Sequence, residues 1–411
     1  MVLVAGGGAK DEGRAATTPA PVPDDRPSRP GAPQVVEADG ELAVGITEQN
    51  PNLIWPAAGP EGVPAVERWR RAMDGIRPGY LRIVLRWSGL QPGPARPADL
   101  ELPQGGCLRD VPPCVGWIGV RDQLRAAAAR QKATGMQVHV VVYGSPGWAA
   151  RPARGCETGG TGPSSRPPRS DALPAYERLV TDTLKLAERE GVELRYWSPW
   201  NEPNHPYFLS PQRPRCSGRA PSASVARYVE LSRALEDALQ AAPGDQEIVL
   251  GELSGLYGRK PRSTGVTEFI RGLPRALVCE AAVVSQHGYV GGRDPVAAVS
   301  RGLATHGCPR TPEIWITETG VGAPRRDAVK VSGAEAERAA CRAMHAQLVG
   351  WYEDPRVTAA FQYTLREDDR FATGLVDVAL RRPFPVLRAW QAWGGGRAPA
   401  GPPPSAAAAC A

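Results

Sequence analysis

Two glutamates in this chain of 411 residues follow apolar, strand-like runs. Glu202 lies among tryptophans in the stretch YWSPWNEPN, and Glu318 closes the stretch IWITE. The proline after Glu202 keeps the backbone out of a helix and fixes the loop. Two carboxyl groups that flank one bond can cleave a glycosidic linkage, one as an acid that protonates the leaving oxygen and the other as a nucleophile. The pair therefore indicates sugar chemistry, provided that the fold brings the two residues together.

A scaffold of repeating strands and helices would bring the two glutamates together. Short β-branched or apolar runs alternate with helical patterns, which is typical of βαβ units and a parallel sheet. We predict strands at residues 41–47, 80–87, 136–144, 193–200, 247–254, 281–289, 313–318 and 358–364. We predict helices at 65–76, 117–135, 172–191, 224–242, 266–273, 294–307, 333–354 and 383–393. This order predicts an α/β fold, a single (β/α)8 TIM barrel, whose catalytic groups gather at the C-terminal ends of the strands. Glu202 after strand four and Glu318 after strand seven then face each other across one mouth.

The two ends of the chain differ in composition from its middle. Residues 1–37 are rich in Ala, Pro, Gly, Asp and Arg, and residues 396–411 are similar. Such segments bury too little apolar surface to offset the entropy of ordering, so we expect both to be disordered. The barrel domain then covers residues 38–395.

Charge and composition exclude several classes of partner. The formal charge of +6 comes from 49 Lys+Arg against 43 Asp+Glu, and the arginines are scattered. Without a basic stripe and interleaved aromatics, nucleic-acid binding is not expected. No apolar run reaches the length of about 18 residues that predicts a membrane span. The five histidines form neither an HxH nor an HExxH motif, so we expect no metal and no other cofactor, and we interpret His139 within strand three as structural.

The eight cysteines favour an exported protein. None forms a CxxC motif, and six lie where pairing is plausible, in or beside loops. We predict the disulfides Cys107–Cys114, Cys156–Cys216 and Cys279–Cys308, and expect Cys341 and Cys410 to stay unpaired. Three disulfides imply an oxidising compartment, although residues 1–14 lack the basic and apolar regions of a signal peptide. Buried or free thiols in a cytosolic protein are the alternative.

In these motifs the chain resembles the clan A retaining glycoside hydrolases, nearest to family 39 and related cellulase-like bacterial barrels. Asn201-Glu202-Pro203 after strand four and Glu318 after strand seven match the clan's acid/base and nucleophile positions in order and placement. The resemblance implies a secreted glycosidase acting on a carbohydrate substrate, with Glu202 as acid/base and Glu318 as nucleophile. It also implies that Asn201 hydrogen-bonds the 2-hydroxyl of the sugar.

Other strand ends agree with this resemblance. Arg82 in strand two matches an arginine that supports the nucleophile, and a buried arginine in an apolar run needs an anionic partner, for which Glu318 is the obvious candidate. Arg86 is the competing candidate. His287 and Tyr289 share one face of strand six and match the clan's His/Tyr pair. We expect Tyr289 to donate a hydrogen bond to Glu318 and to hold it ionised; a hydrogen-bonded core pair is the alternative.

The substrate is less defined than the reaction. Trp148 follows strand three in GSPGW and could stack on the C–H face of a sugar. Many clan members carry a tryptophan at the end of strand eight, where this chain has Tyr363. Arginines in the long loops could favour an acidic sugar, and ordinary arginine usage explains them equally well: Arg151, Arg154 and Arg213.

Two other functions fit the same barrel. One is a catalytically silent carbohydrate-binding protein, because a fold does not guarantee a function. The other is an enzyme of different chemistry, such as a metal-dependent hydrolase or a phosphate-handling isomerase. The presence of both carboxylates argues against the first, and the histidine pattern argues against the metal version of the second.

Overall fold

The computed structural model describes residues 42–55, 64–102, 119–156, 161–321, 333–367, 372–394 and 404–410. Within these residues, eight parallel strands close into a barrel in sequence order, which confirms the predicted fold class. The strands are β1 (Ala43–Thr47), β2 (Tyr80–Arg86), β3 (Gln137–Tyr143), β4 (Tyr196–Ser198), β5 (Glu247–Leu253), β6 (Val283–His287), β7 (Glu313–Thr319) and β8 (Val357–Tyr363). All eight overlap the predicted runs.

The helices lie between the strands, as the apolar stripes in the sequence predict. They are α1 (Pro51–Ile54), α2 (Pro64–Ile76), α3 (Trp87–Leu90), α4 (Val120–Thr134), α5 (Leu173–Glu190), α6 (Ala223–Gln240), α7 (Val266–Arg271), α8 (Arg275–Glu280), α9 (Pro295–Leu303), α10 (Ala334–Tyr352), α11 (Val386–Trp393) and α12 (Ala406–Cys410), with 3-10 turns at Pro163–Ser165 and Ser170–Ala172. The short helices α1, α3, α8 and α12 are additional to the eight predicted ones. No helix in the described ranges is both long and apolar enough to cross a membrane.

Aromatic rings fill the lower interior of the barrel. Tyr80, Tyr196, Trp315 and Phe361 pack together, with ring centroids 4.8 Å apart for Tyr196 and Trp315 and 4.9 Å apart for Tyr80 and Trp315. Inward-facing residues recur every second position along a strand. The next inward position on β2, two residues after Tyr80, is therefore Arg82. The rings form a floor below the polar groups of the barrel mouth.

Three disulfides connect described residues, and two of them confirm predictions: Cys156–Cys216 and Cys279–Cys308. The third, Cys341–Cys410, contradicts the expectation that these two cysteines are unpaired. Cys107 and Cys114 lie outside the described residues.

The Cys341–Cys410 bridge also corrects the interpretation of the tail. Residues 404–410 were expected to be disordered, but they include helix α12, where Cys410 is buried. His345 on α10 contacts the carbonyl oxygen of Pro404 at 2.7 Å. Burial of small side chains, a hydrogen bond and a disulfide together order a segment whose composition alone predicts disorder. The disorder predicted for residues 1–37, which the structure does not describe, stays a prediction.

Candidate active site

The loop after β4 carries Glu202. Its backbone φ of 42° lies in the left-handed region, which non-glycine residues rarely adopt. The Glu202 N–H donates to the carbonyl oxygen of Glu252 at 2.9 Å. Two residues on, the Asn204 side chain donates to the Ser254 carbonyl at 2.9 Å and accepts from the Ser254 N–H at 2.8 Å. These bonds tie the β4 loop to the end of β5, so the position of Glu202 is set by two strands.

Glu318 lies near the end of β7, and two groups hold its carboxylate. The Tyr289 hydroxyl donates to Oε2 at 2.7 Å, as expected. Arg82 Nη1 forms an ion pair with Oε1 at 2.8 Å, and this contact does not have the geometry of a hydrogen bond. Burial and the nearby Glu318 charge raise the pKa of Tyr289 well above its ordinary value, which keeps the phenol protonated as a donor.

His287, at the end of β6, brings the two predicted catalytic residues together. Its Nδ1 lies 2.8 Å from Glu202 Oε1 and 3.3 Å from Glu318 Oε2. One carboxylate oxygen of each glutamate and the histidine nitrogen all lie within 4.8 Å of one another. The ends of β4, β6 and β7 therefore meet at one point of the barrel mouth, as the fold rule predicts.

Glu252 is a third carboxylate in this cluster and was not predicted from the sequence. It is fully buried at the end of β5. Its Oε2 accepts hydrogen bonds from Arg82 Nε at 3.0 Å and Arg82 Nη2 at 2.5 Å, and lies 3.3 Å from His287 Nε2. The available signal was a glutamate in the otherwise apolar stretch EIVLGELS, the same signal that identified Glu318.

Arg82 links the remaining groups. It is fully buried, and its Nη2 donates to Asn201 Oδ1 at 2.8 Å as well as to Glu252. The expected partner Glu318 is thus only one of two carboxylates that Arg82 binds. Arg86, the competing candidate, is exposed and hydrogen-bonds Ser88.

The ionisation of the cluster follows from these contacts. Burial lowers the pKa of His287, but Glu318, Glu202 and Glu252 outweigh burial and raise it to about 10. Burial raises the pKa of Glu202. The hydrogen bond to His287 and the charge of that histidine together have a larger effect in the opposite direction, so the net shift of the pKa is downward. Burial likewise opposes ionisation of Glu252, yet Arg82 and His287 hold its pKa well below the ordinary value. Two cations therefore lie among three carboxyl groups.

The two aromatic residues considered for the sugar subsite, Trp148 and Tyr363, have different surroundings. Trp148 is half-buried, donates from its indole N–H to the Gln91 carbonyl at 2.9 Å and packs edge-on against Trp87 at 5.9 Å. These described contacts do not include the carboxylates, so its role as a sugar platform stays a prediction. Tyr363 ends β8 close enough to Arg82 and Tyr289 to affect the pKa of both.

Two of the loop arginines considered for an acidic sugar have structural partners instead. Arg213 is fully buried, and its two terminal nitrogens bind the two oxygens of Glu268, each at 2.7 Å. Arg151 binds Glu230 at 2.8 Å. His139, interpreted as structural, is buried within β3 and lies 2.8 Å from the Ser198 hydroxyl. Burial lowers the pKa of His139 to about 4, so this histidine is neutral near pH 7.

Glu202, His287 and Glu318 also form the one group in the described ranges whose side chains converge closely enough for a metal ion. Each of them already has a charged or protonated partner. His287 pairs with Glu202, while Arg82 and Tyr289 bind Glu318. This donor set fits an ion-pair network better than a metal site, because a metal would have to displace the histidine proton beside a buried guanidinium.

No protein-family model matches the chain. No curated protein matches its sequence either. Among solved structures, the chain is similar to the catalytic domain of the family 30 xylanase C of Talaromyces cellulolyticus, with TM-score 0.51 and 13% identity over 86% of this chain and 75% of that one. It is similar to a family 39 glycoside hydrolase of Bacteroides cellulosilyticus, with TM-score 0.50 and 12% identity over 87% and 64%. It is also similar to an endo-beta1,6-glucanase, with TM-score 0.52 and 13% identity over 84% and 72%. At these identities the likeness shows a shared barrel fold.

Proposed function

We propose that the protein is a retaining glycoside hydrolase in which Glu318 is the nucleophile and Glu202 the acid/base. One observation carries the proposal: oxygens of Glu202 and Glu318 lie within 4.8 Å of each other across the barrel mouth. Carboxyl groups about 5 to 5.5 Å apart suit a retaining enzyme, whereas an inverting enzyme needs about 6.5 to 9.5 Å to admit a water molecule between them. The close approach therefore favours double displacement.

In the first step, Glu318 attacks the anomeric carbon and Glu202 protonates the departing oxygen. The bond from the sugar to the leaving group breaks as the bond from the sugar to Glu318 forms. Arg82 and Tyr289 each hold one Glu318 oxygen, so the nucleophile meets the sugar in a fixed orientation.

In the second step, Glu202 takes a proton from water, and the resulting hydroxide displaces Glu318 from the sugar with a second inversion. Asn201 lies directly before Glu202, and its Oδ1 is occupied by Arg82. In this proposal the amide nitrogen of Asn201 donates to a sugar hydroxyl, because its oxygen already accepts from Arg82.

The similar structures, the position of Trp148 and the disulfides support the proposal of an exported enzyme with a carbohydrate substrate. Two of the similar solved structures are those of a xylanase and an endo-beta1,6-glucanase. Trp148 offers an aromatic surface near the end of β3. The disulfides fit an oxidising compartment, so we include export in the proposal.

The test is hydrolysis of a panel of aryl glycosides and polysaccharides by the wild type and by Glu318→Gln, with proton NMR of the anomer formed first. We expect a retained anomer from the wild type and no turnover by the variant. Glu313→Gln is the matched control, because Glu313 begins the same strand and contacts Thr358 instead of the carboxylate cluster. An inverted anomer, or turnover by Glu318→Gln, would refute the assignment. Sugar binding without hydrolysis would favour the silent carbohydrate-binding barrel.

A further inference from the structure

We propose that Glu252 is a positioning residue that keeps His287 charged, so that the acid of the reaction is the Glu202–His287 pair and not Glu202 alone. The catalytic part of this inference rests on the proposed function. Its structural part, the charge on His287, can be measured without any substrate.

The geometry of the His287 ring carries the first step. Nδ1 lies 2.8 Å from Glu202 Oε1, and Nε2 lies 3.3 Å from Glu252 Oε2. A carboxylate only accepts hydrogen bonds, so a histidine with a carboxylate at each nitrogen satisfies both only when both nitrogens carry hydrogen. The ring between Glu202 and Glu252 is therefore an imidazolium.

The backbone of β5 is shaped to place Glu252 at this point. Gly251 and Glu252 both have positive φ values, 106° and 52°, and the register of β5 against β6 shifts between Leu250 and Leu253. A side chain on Gly251 would collide with the backbone carbonyl of Ser285. The Glu252 N–H donates to the Ser285 hydroxyl at 2.8 Å. A strained bulge of this kind is typical of a position where a functional side chain is re-aimed.

The charges around His287 also favour the imidazolium form of its ring. The groups that face it from the surrounding elements are Arg82 on β2, His139 on β3, Glu202 after β4, Glu252 on β5, Tyr289 after β6 and Glu318 on β7. His139 is neutral, since burial lowers its pKa to about 4. Arg82 is then the one cation in this set that opposes the charge on His287, against three carboxyl groups. Burial favours a neutral ring, and the carboxylates outweigh it.

The proposed reaction changes the charges around His287 during the first step. After burial, the charge of Glu318 has the largest effect on the pKa of His287. That charge disappears when Glu318 forms its ester bond to the sugar, so His287 becomes more acidic as the leaving group departs. The Nδ1 proton then moves to Glu202, and Glu202 protonates the leaving oxygen. The step leaves a neutral His287 and an ionised Glu202, ready to take a proton from water in the second step. Glu252 keeps its charge throughout and holds the ring in place.

The experiment is a pH titration of the substrate-free protein labelled with 15N-histidine, whose five histidines give a simple spectrum. In the wild type we expect both His287 nitrogens to carry hydrogen at neutral pH, with a titration midpoint near 10. Loss of the His287 signals in His287→Gln assigns them. Glu252→Gln should lower the midpoint by about one to three pH units, and Glu252→Asp, which keeps the charge, should lower it less. Glu247→Gln is the matched control on the same strand, because Glu247 pairs with Arg195.

Activity gives the second readout. In Glu252→Gln, the alkaline limb of the kcat/KM profile should move to lower pH together with the His287 midpoint. The difference in the alkaline limb between the wild type and Glu252→Gln should be smaller for aryl leaving groups that depart without a proton. A purely structural role would lower kcat/KM by the same factor at every pH and would contradict the proposal.

A neutral His287 in the wild type at pH 7 would overturn the proposal, and that measurement stands even if Glu252→Gln fails to fold. An unchanged midpoint in a folded Glu252→Gln would overturn it too. Both results leave the proposed hydrolase intact. Absence of hydrolysis with a charged His287 would instead refute the hydrolase and retain the charge arrangement.

Discussion

Replacing Tyr289 with Phe removes one hydroxyl from the candidate site and leaves the ring in place. That hydroxyl donates to Glu318 Oε2 at 2.7 Å, while Arg82 holds the other oxygen. A hydrogen bond to a charged group contributes about 1.5 to 3 kcal/mol, and each 1.36 kcal/mol corresponds to a factor of ten in rate. If this bond orients the nucleophile in the transition state, kcat/KM for a substrate found in the glycoside panel should fall roughly 10- to 150-fold.

The assay compares kcat/KM and the thermal midpoint of the wild type with those of Tyr289→Phe. Tyr257→Phe is the matched control, because the Tyr257 hydroxyl accepts a hydrogen bond from the Gln286 side chain at 3.2 Å and donates one to the Arg293 carbonyl at 3.1 Å, and neither bond involves Glu318. The control should keep its activity. A kcat/KM within about threefold of the wild type in folded Tyr289→Phe would refute the reasoning that this tyrosine positions the nucleophile.

Two further predictions concern stability. Replacing Cys341 and Cys410 with serine removes a bridge across a sequence separation of 69 residues. Loop-closure entropy then predicts a loss of about 4 kcal/mol, which calorimetry should detect as a Tm several degrees lower; an unchanged Tm would contradict the role of the bridge in stability. For His287, the pKa is raised from 6.5 to about 10 on folding, so its stabilising contribution is complete below pH 6.5 and is lost as the pH rises to about 10. Urea unfolding between these pH values should show a declining free energy in the wild type and a shallower decline in His287→Gln, whereas equal slopes would count against the charged histidine.

The barrel and most of the site were predictable because each depends on local signals. Strand positions follow from short β-branched runs, and closure follows from their regular alternation with helices. Arg82 was identified because an arginine in an apolar strand requires an anionic partner. His287 and Tyr289 follow from the two-residue period of a strand, which places them on one face.

Glu252 was missed because its orientation depends on a backbone irregularity. Val249 faces the interior of the barrel, so regular alternation directs Gly251 inward and Glu252 outward. The bulge between Leu250 and Leu253 reverses this order. Periodicity in the sequence does not reveal a bulge, and the glycine before Glu252 was the only local sign of one.

The Cys341–Cys410 bridge was missed for a different reason. Its two cysteines are far apart in the sequence, and one lies in a tail whose composition predicts disorder. Pairing at such a separation depends on where the chain returns in space, and composition carries no information about that.

The aromatic floor of Tyr80, Tyr196, Trp315 and Phe361 has a consequence for the electrostatics of the groups above it. Closely packed rings exclude bulk water from the space below Arg82, and charges that lie away from water attract each other more strongly than charges that water surrounds. The attraction between Arg82 and the carboxylates of Glu252 and Glu318 is therefore weakly screened from this side. In this sense the floor insulates the charged groups of the barrel mouth electrically.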